Sequence, residues 1–221
     1  MFSPTELVNK IKNLSFVNRG PLPQPVIAGL FAEIIAACNS IIKPLQVAYL
    51  GPEGSFCQMA ALRYMGGSSQ YKGFKSVVDI FEEVSRGGAQ IGVVPGENSY
   101  ESETDFTLDQ FFAYDLNICG EVFVNINLHL MSLSQNISEI TDIYINPLTL
   151  GQCNGWLKRN LPAARLHERA GITAALDSIK DKPWAAAVGS ELAARQANMN
   201  ILAQNIGDTP NSQTRFFILD S

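Results

Sequence analysis

Two short stretches concentrate the side chains able to do chemistry: Val93-Val94-Pro95-Gly96-Glu97-Asn98-Ser99 and Asn211-Ser212-Gln213-Thr214-Arg215-Phe216. The first follows the apolar run Ile91 to Val94, so it reads as a strand that stops at a proline and turns into polar residues. Ligands of open α/β sheets bind in the crevice outside the carboxyl ends of strands, which makes Glu97, Asn98 and Ser99 candidates for contacting one. The second sets a hydroxyl, a guanidinium and an aromatic ring in succession ahead of the apolar run Phe216 to Leu219, a polar edge leading into a strand. Metal chemistry has little to work with. Four scattered cysteines (Cys38, Cys57, Cys119, Cys153) form no CxxC pair, only His129 and His167 are available, and free thiols in a reducing compartment are the expectation.

The elements that must position these residues can be read from periodicity. Leu7, Ile11 and Leu14 are spaced for one helix face behind a Ser3-Pro4-x-Glu6 start, and Asn18 to Pro23 breaks that helix. A second helix from about Pro25 to Ile42 carries the stripe Val26, Leu30, Ile34, Cys38 and Ile41, too apolar to face water. Lys43-Pro44 closes this prefix. Gln46 to Leu50 is then a buried strand, Gly51 to Gly54 a turn, and Ser55 a cap for the helix Phe56 to Tyr64. Strand, glycine turn and helix start together make an anion site, although an ordinary tight connection would look the same. A helix is expected over Phe74 to Val84, ended by Arg86-Gly87-Gly88, then the strand Gln90 to Val94, then a helix from Thr104 or Asp105 through Tyr114. Leu116 to Leu133 alternates as a long strand or strand pair, and His129 falls on its polar side as a solvated side chain.

The second half repeats this architecture. It comprises a strand at Asp142 to Ile145, a helix at Pro147 to Leu161 carrying Gln152, a helix at Ala170 to Ile179, a strand at Trp184 to Val188 and a helix at Ser190 to Ala197. The chain returns through Ile201 to Ile206 and Asp208-Thr209-Pro210, bringing Thr214 back beside the first half. Alternating helices and strands argue for parallel or mixed sheets. With 221 residues, 46% of them hydrophobic and 17% charged, the chain has material for one sizeable core or two lobes. A net charge of −5 with no Lys/Arg run gives no basic surface for nucleic acid or an anionic membrane. Neither a secretion signal nor an eighteen-residue apolar run is present, so a cytoplasmic protein is expected.

Tyr49-Leu50-Gly51-Pro52-Glu53-Gly54-Ser55-Phe56, Pro95-x-Glu97-Asn98-Ser99 and Thr214-Arg215-Phe216, with Gly120-Glu121 and Gln152-Cys153 between them, occur in the order and at roughly the spacing of prephenate dehydratase. The chain resembles that family from about Val47 onward. The resemblance implies a two-lobed α/β fold of the type II periplasmic-binding-protein kind. Its cleft would lie between lobe 1 (about 45–124 and 201–221) and lobe 2 (about 125–200), behind a prefix spanning 1–44. The Gly-Pro-Leu break and apolar helix resemble the tail of the chorismate mutase module fused ahead of the dehydratase in bifunctional proteins, here a structural or dimerising remnant. The chain stops five residues after Phe216, leaving no room for a phenylalanine-sensing ACT domain, so no regulation through one is expected.

The activity implied is loss of water and carbon dioxide from prephenate, giving phenylpyruvate for phenylalanine biosynthesis, with no metal, flavin or nicotinamide, in a homodimer. Thr214 is the implied donor to the departing ring hydroxyl, an effect of the general-acid type. Arg215 would strengthen that donor or pair with a carboxylate in a two-pronged hydrogen bond. Asn98, Ser99 and Gln152 match positions lining the site, Gly54, Ser55 and Phe216 complete it, and Glu97 is a structural acceptor. The sequence departs from the pattern at Gly96, where isoleucine is usual, and at Ser102, where a glycine is expected. It departs again at Ile145 and at Gly171-Ile172, which replace polar or hydroxyl residues. These departures keep open a prephenate decarboxylase that does not aromatise the ring, and a homologue that binds a small anion without turnover.

Overall fold

The parallel core of each half follows from its apolar runs, which are too continuous to expose either face. The structure, a computed structural model, describes residues 19–42, 44–98, 103–210 and 212–221. The expected helix around Leu7 to Leu14 and the residues Ser99, Ser102 and Asn211 lie outside the described residues, as do the side chains of Ile41, Glu97 and Asn98.

In chain order the elements are α1 (Gln24–Ile42), β1 (Gln46–Leu50), α2 (Phe56–Met65), β2 (Gln70–Phe74), α3 (Val77–Ser85), β3 (Ile91–Asn98), α4 (Glu103–Gln110), β4 (Asn117–Asn125) and β5 (His129–Ser132). After a 3-10 turn at Ile137–Glu139 come β6 (Asp142–Ile145), α5 (Pro147–Asn160), β7 (Arg165–Glu168), α6 (Ile172–Ile179), β8 (Ala185–Gly189), α7 (Glu191–Gln196), β9 (Asn200–Ala203) and β10 (Gln213–Asp220).

They build two mixed five-stranded sheets, ordered β2-β1-β3-β10-β4 and β7-β6-β8-β5-β9, which is the expected α/β class. The first unit holds 19–51, 57–124 and 214–221, and the second 52–56 and 125–213, apart from the undescribed residues within those ranges. In the first, β1 runs parallel to β2 and β3, and β10 runs antiparallel to β3. Val77, Ile80, Phe81 and Val84 of α3 pack on Ala48, Val94, Phe217 and Leu219. Ser76 caps α3 by accepting from the Asp79 amide at 3.2 Å, and Gly87 ends it at φ +72°. In the second, β6 is parallel to β7 and β8, while β5 is antiparallel to β8 and β9. One face buries Ile143, Ile145, Cys153, Leu157 and Ile206; the other buries Tyr144, Ala175, Ile179, Ala187 and Ala194.

Several boundaries differ from the sequence reading. The strand expected to stop at Pro95 continues to Asn98, because β10 pairs along it; the register slips by one residue on β3 between the pairs Arg215↔Glu97 and Phe216↔Pro95. Gly96 is that extra residue, a bulge beside the proline, where a missing amide is tolerated. Phe74 ends a strand instead of starting a helix, and β2 and β7 are additional strands at sheet edges, too polar to show an apolar run. Asn200–Ala203, expected on the return path to the first lobe, is β9, an edge strand of the second sheet.

Candidate functional site

The antiparallel pairing of β10 with β3 sets Thr214 opposite Asn98 and Arg215 opposite Glu97. The two stretches singled out in the sequence, more than a hundred residues apart, thus become neighbouring strand ends in the first unit. Thr214 is buried, only 4% exposed, and Phe216 is buried as well. Alternation along a strand turns Thr214 and Phe216 to one face and Arg215 and Phe217 to the other.

Arg215 is engaged on its own face. Its Nε donates to Glu121 Oε2 at 2.7 Å and its Nη2 to the same oxygen at 2.5 Å, while its guanidinium carbon stands 4.9 Å from the Phe217 ring centre and 6.0 Å from that of Phe123. Strand alternation sets Arg215 and Thr214 on opposite faces of β10. The Glu121 carboxylate on β4 occupies the fork that was expected to be open for a ligand. Gly120, beside it, makes room for Tyr64, whose hydroxyl oxygen lies 2.1 Å from where a β-carbon at 120 would stand. That hydroxyl is buried without a partner, and burial raises its pKa above the usual range.

Cys57, just inside α2, donates to the Val93 carbonyl at 3.2 Å and accepts from the Leu50 amide at 3.3 Å. Burial pushes its thiol up to about 12, so it is an inert cross-tie between β1 and β3.

The second unit holds Gly54, Ser55 and Gln152. Gly54 has φ +76°, and a β-carbon there would come within 2.7 Å of Ala193 Cβ. Its carbonyl accepts from Ser190 Oγ at 2.5 Å, and Ser190 Oγ in turn accepts from the Ala193 amide at 3.0 Å as the N-cap of α7. The glycine turn is thus seated on the start of α7, a contact that the spacing of Gly51 and Gly54 does not announce. Gln152 is half-buried on α5, a helix capped by Asn146, whose side chain accepts from the Leu148 amide at 2.9 Å. Cys153 next to it donates to the Thr149 carbonyl at 3.2 Å; burial first, and the Asp208 carboxylate second, hold its thiol at about 12.

His129 is buried, not solvated. Its Nδ1 has no partner, and desolvation lowers its pKa, Glu191 acting weakly the other way. The departures at Ile145 and Ile172 are packing positions: Ile145 is wholly buried in the second core, and the Ile172 side chain rests against Gly189. Among the described residues no group of three metal-ligating side chains occurs, and no helix is long and apolar enough to cross a membrane.

The model of one family, described as prephenate dehydratase, matches residues 47–221. The chain belongs to the prephenate dehydratase family. It is 39% identical over 215 residues to a bifunctional chorismate mutase/prephenate dehydratase of Aquifex aeolicus, covering 97% of this chain and 59% of that relative. It is 31% identical over 179 residues to a prephenate dehydratase of Lactococcus lactis subsp. cremoris, covering 79% of this chain and 63% of that one. A crystal structure of a prephenate dehydratase from Arthrobacter aurescens in complex with L-Phe superposes with a TM-score of 0.71 at 29% identity, over 80% of this chain and 60% of that one. The chain thus spans about three fifths of the length of these prephenate dehydratase relatives. Its helical prefix falls within the match to the bifunctional relative, which takes in nearly the whole chain.

Proposed function

We propose that this chain converts prephenate to phenylpyruvate, carbon dioxide and water on the route to phenylalanine, and that Thr214 is its catalytic residue. The observation that carries this reading is the register of β3 and β10. It sets a buried threonine hydroxyl opposite Asn98, at the polar end of a strand that is buried from Phe216 onward. The substrate is a dianion with a ring hydroxyl. As the bond from the ring to its carboxylate breaks, carbon dioxide leaves and the bonding pair enters the ring. The hydroxyl on the opposite carbon departs and takes up a proton to become water. Aromatisation supplies the driving force, and the protein's share is to orient the carboxylates and to donate a hydrogen bond to the departing oxygen. A donor of this general-acid type typically contributes about 10² to 10⁴ in rate.

Asn98, Ser99, Phe216, Gln152, Gly54 and Ser55 are the proposed binding residues. Arg215, tied to Glu121 and stacked on Phe217, acts in this reading as the brace of β10. Retention of the Thr214-Arg215-Phe216 run favours dehydration over the two alternatives. The same reading makes the protein a cytoplasmic homodimer.

Product analysis with purified protein and prephenate tests the proposal. Phenylpyruvate is expected, and Thr214→Ala should lower kcat by roughly 10² with KM nearly unchanged, the pattern of an interaction made only in the transition state. A non-aromatic keto acid that keeps its hydroxyl would replace dehydration with decarboxylation alone. Binding of prephenate without any product would leave a binding homologue.

A further inference from the structure

Helix α5 carries Gly151 and Gly155 in its interior, where each glycine costs about 1 kcal/mol relative to alanine. Position 155 has a reason for it. A β-carbon there would stand 2.7 Å from Asp208 Oδ1 and 3.0 Å from Oδ2. The Gly155 amide donates to Oδ2 at 2.7 Å, the Trp156 amide donates to Oδ1 at 2.8 Å, and the Asp208 amide donates to the Gln152 carbonyl at 2.7 Å. In an uninterrupted helix those two amides would point at the carbonyls of Gly151 and Gln152. Asp208, 53 residues downstream of Gly155, presents its carboxylate to both amides as an N-cap residue does at a helix start, and Arg159 Nη2, 3.5 Å away, supplies an opposing charge.

We propose that Asp208 is a positioning residue that holds Gln152 in its substrate-binding orientation; this rests on the dehydratase reading above. The reasoning is local. Without the carboxylate, the Gly155 and Trp156 amides are released to the helix's own carbonyls. The Gln152 carbonyl then exchanges the Asp208 amide for that of Trp156, and the turn bearing the Gln152 side chain rotates with it. An aspartate whose carboxylate accepts from two helix amides, and whose own amide donates to the Gln152 carbonyl, is a stronger latch than a surface ion pair, because each oxygen is directed. Asn in its place keeps one good acceptor and loses the charge. The glycine at 155 and the aspartate at 208 are therefore two halves of one device, and either can be removed without touching Gln152.

The test uses the full chain with Asp208→Ala, Asp208→Asn and Gly155→Ala. Asp208→Ala and Gly155→Ala should each raise the KM for prephenate about tenfold with kcat changed far less, the signature of lost ground-state positioning, and Asp208→Asn should fall between them and wild type. In a Gln152→Ala background Asp208→Ala should add little, because residues acting through one another are not additive. Amide hydrogen exchange at positions 155 and 156 without substrate should differ from wild type in both alanine variants, because the acceptor of each amide changes. A full tenfold effect of Asp208→Ala on top of Gln152→Ala, a loss confined to kcat, or unaltered exchange at both amides would overturn the proposal. Should wild type make no phenylpyruvate, the dehydratase reading fails separately. Prephenate affinity by calorimetry in the same variants, together with the exchange data, then decides the role of Asp208.

Discussion

A glycine at position 96 is dictated by a ring on the neighbouring strand. A β-carbon there would stand 2.7 Å from Phe217 Cε2 and 2.8 Å from its Cζ, closer than packed atoms approach. The isoleucine usual in the family at this position would have to displace Phe217, and with it the surface on which Arg215 lies. Gly96→Ile should therefore cost about 1–3 kcal/mol, the usual range for overpacking. In a chain of this size that lowers Tm by roughly 2–12 °C. Thermal melts check this, and adding Phe217→Ala should return part of the loss; a variant that melts with wild type would show that the ring moves freely. At this scale the sequence was uneven in what it disclosed. The hydroxyl of Thr214 stands out from its motif, whereas the pairing of Arg215 with Glu121, 94 positions apart, depends on which strands lie side by side. Nor is Asp208 legible, although a glycine inside a helix is a faint mark of a close approach from elsewhere.

Elements declared themselves by how deeply they are buried. β1, β6 and β8 are buried apolar runs and were readable, while β2 and β7 form edges and carry polar residues. The length of β3 was hidden because a proline ordinarily ends a strand, and only pairing with β10 carries it on to Asn98. His129 was misplaced because alternation assumes one wet face, whereas β5 lies between β8 and β9 and is buried along its whole length. A pH dependence follows. Burial keeps the His129 imidazole neutral in the fold, whereas the unfolded chain takes up a proton near the ordinary histidine pKa of about 6.5. Protonation thus favours unfolding, and stability should decline as pH falls below that value toward the lowered folded-state pKa. Comparing Tm at pH 7.5 and 5.5, His129→Gln should show a shallower decline than wild type; parallel declines would remove this histidine from the account. Asp142 acts in a lower window. Its hydrogen bonds to His167, then Arg165 and Thr141, depress its pKa, so its contribution is present above about pH 4 and lost in stronger acid.

For the molecule as a whole, the two sheets were foreseeable from alternating helices and strands, but the place of β9 was not, since a short half-buried strand fits either sheet by pattern alone. The prefix helix α1 leaves Val26, Leu30 and Ile34 exposed at 46%, 53% and 56%, while the Glu33 side chain ties it to the first unit by accepting from the Gly67 amide at 2.7 Å. An apolar stripe of that kind, fixed in place and uncovered, suits the proposed homodimer. Light scattering on the chain lacking residues 1–43 should show loss or weakening of the dimer, and an unchanged dimer mass would acquit the helix.

The order β2-β1-β3-β10-β4 has a consequence for how the chain is made. Among the described residues, β10, an interior strand, is the only neighbour of β4 and is translated after the other nine strands. Glu121 emerges 94 residues ahead of the arginine that pairs with it, a wait of about 5–20 s at 5–20 residues per second. During that interval Ile118, Val122 and Val124 belong to a strand whose partner β10 is not yet made, while the strands of the second sheet are translated one after another and are complete before β10. The nascent chain thus carries an aggregation hazard in the first unit until β10 arrives.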